Sequence, residues 1–136
     1  MKRVFVDTSG FVALLVAEDP WHARGLELFT RAGAERWRLV TTNAVVIETY
    51  ATLLLRARDG RRAAIAFLDS LNRTELRIKR IRRDDEEKAI AIVRAHEDKS
   101  YSLCDALSFA VMGRTGIREA IAFDRHFRQY GMDVLQ

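Results

Sequence analysis

The feature that most constrains this chain is a repeated switch of period, in which short β-branched or aromatic runs of strand length give way to longer runs with helical spacing. Arg3–Val6 is the first short run, and Asp7-Thr8-Ser9-Gly10 then supplies capping and turn residues before the apolar helical pattern Phe11–Ala17. Asp19-Pro20 stops that helix and opens another, whose apolar positions Ala23, Leu26, Leu28 and Phe29 form a stripe ending near Gly33. Arg38–Thr42 predicts a second strand, and Thr41-Thr42-Asn43 offers N-cap chemistry for a long helix over Ala44–Ala57. A turn at Asp59-Gly60 precedes a helix over Arg62–Leu71, followed by a strand near Leu76–Ile81.

Asp84-Asp85-Glu86-Glu87 puts negative charge at the start of a helical run to Ala95, where it favours the positive end of the helix dipole. Consecutive carboxylates spread around a helix, so this group reads as a cap and not as a metal site. Ser102 opens an almost wholly apolar helix, Leu103–Met112, expected to close at Gly113, and Ala120–Phe123 and Met132–Leu135 supply two last strands. Strands joined by helical crossovers predict an α/β fold with a mainly parallel sheet covered on both faces.

At 136 residues, 49% of them hydrophobic, the chain is sized for one domain spanning 1–136 with a single core. No apolar run approaches a membrane span, and the charged start of MKRVFVDTSG does not suit a signal peptide, so a cytoplasmic protein is expected. Cys104 is the single cysteine, which excludes an internal disulfide and a cysteine-based zinc cage and leaves it the role of a small buried hydrophobe. The net charge of +4 and the clusters Arg56, Arg58, Arg61, Arg62 and Arg73, Arg77, Lys79, Arg80, Arg82, Arg83 suit a nucleic-acid partner or a solvated surface equally well.

Four acids stand where such a domain ordinarily prefers apolar or small residues. Asp7 and Asp124 each follow an apolar run, at the strand ends where open α/β sheets present ligands; taken singly, they also suit a helix cap and a turn. Glu48 lies among Ala44, Ala51, Thr52 and Leu55 with no basic residue one turn away, open to a surface or a concealed position. Asp105 is the one charge between Tyr101 and Gly113, and it also fits the third position of a capping box with Ser102. Gathered together, bare carboxylates about 4 Å apart repel by about 4 kcal/mol per pair at an effective dielectric near 20, so they require protons or a cation. Oxygen-only ligands favour Mg²⁺ or Mn²⁺, which suits phosphodiester hydrolysis by an activated water. His22 and His96 read as surface residues; His126, two residues past Asp124, falls at the edge of the group, where a structural or phosphate-contact role is preferred to a general base.

VFVDTSGFVALL, NAVVIETYATLL, SLCDALSFAVM and AIAFDRHFRQYG together resemble, in order and almost end to end, the PIN-domain family, and most closely its VapC-type toxins of prokaryotic toxin–antitoxin pairs. The resemblance implies a three-layer α/β/α sandwich and an Mg²⁺- or Mn²⁺-dependent endoribonuclease. It makes Asp7, Glu48, Asp105 and Asp124 the catalytic metal ligands, with Thr8, Ser9 and Ser102 as supporting hydroxyls. It also implies an RNA substrate, homodimerisation and a small cognate antitoxin. Two other readings compete. A phosphatase or phosphotransferase with a phosphorylated aspartate needs a lysine near the phosphate, and Lys79, Lys88 and Lys99 look like surface residues. A non-catalytic RNA- or partner-binding module would use the arginines for affinity and the acids only as caps.

Overall fold

In the computed structural model, which describes residues 1–135, five strands and seven helices follow one another along the chain. They are β1 (Arg3–Val6), α1 (Thr8–Leu15), α2 (His22–Ala34), β2 (Arg38–Thr42), α3 (Asn43–Arg56), α4 (Gly60–Ser70), β3 (Arg77–Lys79), α5 (Arg83–Ala95), α6 (Leu103–Thr115), β4 (Glu119–Ile121), α7 (His126–Tyr130) and β5 (Asp133–Leu135). The sheet has the order β3-β2-β1-β4-β5, and all its pairs are parallel. This is the expected α/β/α sandwich. Val4, Phe5 and Val6 are fully buried, as a central strand covered on both faces must be.

The order places the chain reversal at β1, which is flanked by β2 on one side and β4 on the other. The crevice beyond the carboxyl ends of these strands is where an open parallel sheet takes its ligand. Asp7 closes β1 there: its N–H donates to the Ile121 carbonyl at 3.1 Å, and its carboxylate caps α1 through the Ser9 N–H. Thr41 ties β2 to the same edge by donating its hydroxyl to the Val6 carbonyl at 2.8 Å. Gly10 lets α1 pass close to β4, since a Cβ there would lie 2.7 Å from the Ile121 carbonyl oxygen.

Some boundaries differ from expectation. α6 runs through Gly113 and ends at Gly116, whose φ of 73° is the left-handed conformation that glycine adopts most cheaply. The strand expected over Ala120–Phe123 ends at Ile121, so Asp124 stands three residues beyond it. The five-residue α7 was not foreseen; it is too short to show helical periodicity, yet it buries Phe127 against Phe5 and Phe109. His22 and His96 are half-buried, each with Nδ1 at 2.8 Å from a carbonyl, of Ala13 and Ile92 respectively, because these carbonyls offer the ring a partner that solvent does not have to supply.

The acidic start of α5 acts as the expected cap, with Asp85 accepting from the Arg82 N–H. It does more as well. Asp85 is only 2% exposed and takes two hydrogen bonds from Arg114, each 2.9 Å, which pins α5 to α6. Those bonds hold the Asp85 carboxyl below the usual aspartate range despite burial.

Candidate metal centre

The carboxylates at the carboxyl edge of the sheet are delivered by different elements and held by local hydrogen bonds. Asp7 is 2% exposed. Its Oδ2 accepts from the Ser9 N–H at 3.1 Å and the Ser9 hydroxyl at 2.7 Å, while its buried Oδ1 has no hydrogen-bond partner among the described residues. Burial first, and the charge of Asp124 second, push the Asp7 carboxyl well above the ordinary value of 3.8, with Asp105 adding to the effect. A buried carboxylate oxygen without a donor is costly, and a bound ion, ligand or water is what usually completes one.

Asp105 forms the capping box that the sequence predicts: the Asp105 N–H donates to Ser102 Oγ and the Ser102 N–H to Asp105 Oδ2, both at 3.0 Å. The cap and the site use one residue, because the box aims the carboxylate at the same edge. Asp105 Oδ2 also lies 2.7 Å from His126 Nδ1, and the His126 N–H donates to Asp124 Oδ1 at 2.9 Å. His126 thus links two of the acids. Among the described residues Asp105, Asp124 and His126 have ligand atoms within 4.8 Å of one another, and Tyr101 meets the His126 ring edge-on at 5.6 Å.

Asp7 and Glu48 stand outside that tight group. Asp7 is coupled to it through the charges of Asp124 and Asp105. Glu48, half-buried on α3, meets Cys104 instead. Burial, then the charges of Glu48, Asp7 and Asp105, push the Cys104 thiol far up, which favours its protonated form. Cys104 is therefore half-buried beside the acids, where its chain neighbour Asp105 puts it, and not the plain core residue expected.

The supporting hydroxyls separate into distinct tasks. Ser9 bridges Asp7 to the other half of the sheet, since its Oγ also accepts from the Phe123 N–H at 2.9 Å. Thr8 is 8% exposed and receives the Thr49 hydroxyl at 3.5 Å, so it braces α1 against α3 and touches no acid by hydrogen bond. Ser102 serves only the box. His126 stands at the edge of the acids, where the sequence puts it; its contact with Asp105 spans 21 positions, and its local signal is the hydrogen bond two residues back to Asp124. A cleft of about 980 Å³ between α1, α2 and α4, lined by Phe11, Leu15, Phe29 and Phe67, holds none of the four acids.

The donor set is made of hard oxygens with one imidazole, and it combines excess negative charge with an orphaned buried oxygen. That chemistry fits a hard divalent cation. The profile of the PIN domain matches residues 4–132 of this sequence. The chain is a PIN-domain protein. It is 38% identical over 128 residues, 94% of each chain, to the Mycobacterium tuberculosis protein named 23S rRNA-specific endonuclease VapC20, in strain H37Rv as in strain CDC 1551. The crystal structure of M. tuberculosis VapC20, described as a sarcin-ricin loop cleaving toxin, superimposes with a TM-score of 0.86 at 36% identity, covering 95% of both chains. FitAcB from Neisseria gonorrhoeae shares the PIN fold at a TM-score of 0.70 and 13% identity, over 98% of this chain and 96% of its own.

Proposed function

We propose that this PIN-domain protein is an Mg²⁺- or Mn²⁺-dependent endoribonuclease, the toxin of a toxin–antitoxin pair, with Asp7, Glu48, Asp105 and Asp124 as its metal ligands. The observation that carries the reading is the buried Asp7 carboxylate, with one oxygen unpartnered and its proton affinity raised, set beside Asp124 and Asp105. The relationship to a 23S rRNA-specific endonuclease over nearly the whole chain supports RNA, and ribosomal RNA first, as the substrate.

A cation held there would supply charge neutralisation, Lewis-acid polarisation of a phosphodiester and acidification of a water. The chain's own residues perform the rest. Ser9 holds Asp7 Oδ2 so that Oδ1 stays free, and the Ser102 box and His126 fix Asp105. Asp124 is oriented by the His126 N–H. These hydrogen bonds set the carboxylates before substrate arrives, so little reorganisation remains at the moment of reaction.

Partner binding has its own support. Within the run Ala51–Leu55 only Leu53 enters the core; Leu54 and Leu55 are 43% and 88% exposed, and Ile47 on the same helix is 69% exposed. An apolar helix face of this kind suits the proposed homodimer or the antitoxin. No helix among the described residues is long and apolar enough to cross a membrane.

The test is cleavage of ribosomal RNA by purified protein in Mg²⁺ or Mn²⁺ and in EDTA, beside Asp105→Ala. Discrete fragments that need metal and vanish in the variant are expected. Tight RNA binding with no metal-dependent fragments from any RNA class would favour the binding-module reading instead.

A further inference from the structure

Trp21 is a large aromatic residue left 45% exposed at the start of α2. Its placement is rigid: Pro20 restricts the backbone before it, the Trp21 N–H donates to Asp19 Oδ1 at 2.8 Å, and the Gly25 N–H closes onto the Trp21 carbonyl at 2.8 Å. The indole packs on Phe123 with ring centroids 5.3 Å apart and planes 17° from parallel. Phe123 immediately precedes Asp124, and its N–H donates to Ser9 Oγ, which in turn donates to Asp7 Oδ2. The exposed indole is therefore built onto the backbone that carries two of the acids. Arg56, the last residue of α3, brings a cation to the same loop, with Nη2 3.0 Å from Asp19 Oδ2.

We infer that Trp21 is a stacking platform for an unpaired base of single-stranded RNA, one close in sequence to the phosphodiester being cut; this rests on the nuclease reading above. An indole already fixed on Phe123 loses little entropy when a base stacks on its accessible surface, and stacking tolerates any base because each has a π-face. The Arg56 guanidinium, half-exposed although paired with Asp19, still presents N–H donors to the backbone phosphates, the usual combination of aromatic platform and cation in single-strand binding. Trp21 takes no hydrogen bond to the acids, so its part is positioning.

The chain's other tryptophan, Trp37, is 8% exposed with Lys2 Nζ 4.2 Å from its ring, so bound RNA reaches the Trp21 indole alone. The experiment titrates a short single-stranded RNA oligonucleotide into intact protein in EDTA, reading tryptophan fluorescence and, separately, the anisotropy of a labelled oligonucleotide. Wild type should show quenching on binding. Trp21→Phe should lose the quenching yet keep affinity within about threefold, and Trp21→Ala should lose roughly tenfold, within the range for one stacked base. With Mn²⁺ present, the Trp21→Ala defect should fall on KM, and phenylalanine should recover it. Unchanged RNA affinity in Trp21→Ala overturns the proposal, including the case in which sedimentation shows altered self-association and the indole belongs to a protein interface. Wild type that binds RNA with quenching but never cuts retains the platform and removes the nuclease reading; wild type that binds no oligonucleotide, in EDTA or in Mn²⁺, removes the platform and leaves the nuclease reading to the cleavage assay.

Discussion

Replacing Asp124 with asparagine sets stability against function in a way that few other origins of a carboxylate cluster would produce. The Asp105 and Asp124 ligand atoms lie within 4.8 Å. At an effective dielectric near 20 two unit charges at that distance repel by about 3.5 kcal/mol. Asp124 is half-buried, so water screens part of this, and the His126 N–H keeps an acceptor in the amide oxygen but loses its charge assistance, worth about 1 kcal/mol. The net expectation for metal-free Asp124→Asn is a gain of about 1–2 kcal/mol, or a rise in Tm of roughly 3–6 °C for a chain of this length. Thermal unfolding in EDTA at pH 8 reads the gain. Repeating it with Mn²⁺ should raise the wild-type Tm and leave the variant nearly unmoved. Cleavage should fall by more than roughly 100-fold, because even residues behind metal ligands cost 10- to 100-fold. A variant equal to or less stable than wild type in EDTA would refute the reasoning, since no frustrated charge would then have been relieved.

Three further outcomes follow from the same geometry. Asp7 binds its proton more tightly folded than unfolded, so it contributes stability below its ordinary value of 3.8 that is lost as pH rises through the raised folded value. Urea unfolding in EDTA should show this decline for wild type, a flatter profile for Asp7→Asn, and recovery with Mn²⁺; a pH-independent wild type would exclude it. Asp85 has the opposite sign: its depressed folded value gives stability above 3.8 that is lost as pH falls. Arg114→Ala, which strands the buried Asp85 carboxylate, should cost about 3–5 kcal/mol. A loss below 1 kcal/mol in urea would show that the pair is not holding α5 to α6. For His126, asparagine places a donor near the Nδ1 position and should retain most Mn²⁺ affinity by calorimetry, whereas alanine should lose about tenfold. Equal affinities in the two variants would deny it a role in fixing Asp105.

The layers of the fold were legible because period and capping agree locally. Asp7, Thr42 and Ser102 cap the helices that follow them, as their residue types predict. What stayed hidden depends on contacts far apart in sequence. Nothing near Gly113 and Gly116 says which one takes positive φ; the packing of Ile117 and β4 decides that. The Asp85–Arg114 pair spans 29 positions and the Phe123–Ser9 bond 114, so neither leaves a local trace. The acids themselves were readable as charges in apolar surroundings, but His126 and Trp21 look ordinary in sequence and acquire meaning from Asp105 and Phe123.

The central position of β1 also dictates the order of events during synthesis. β1 is made before both of its neighbours: one edge waits for β2, available after Thr42, and the other for β4, which does not exist until Ile121 has been made. A nascent chain shorter than that keeps an open hydrogen-bonding edge beside the apolar Val4, Phe5 and Val6 and lacks the fourth acid. Closure across more than a hundred residues comes last and is entropically the most expensive contact to make early. Any fragment that stops before Asp124 therefore lacks one of the four acids, however well its earlier elements have formed.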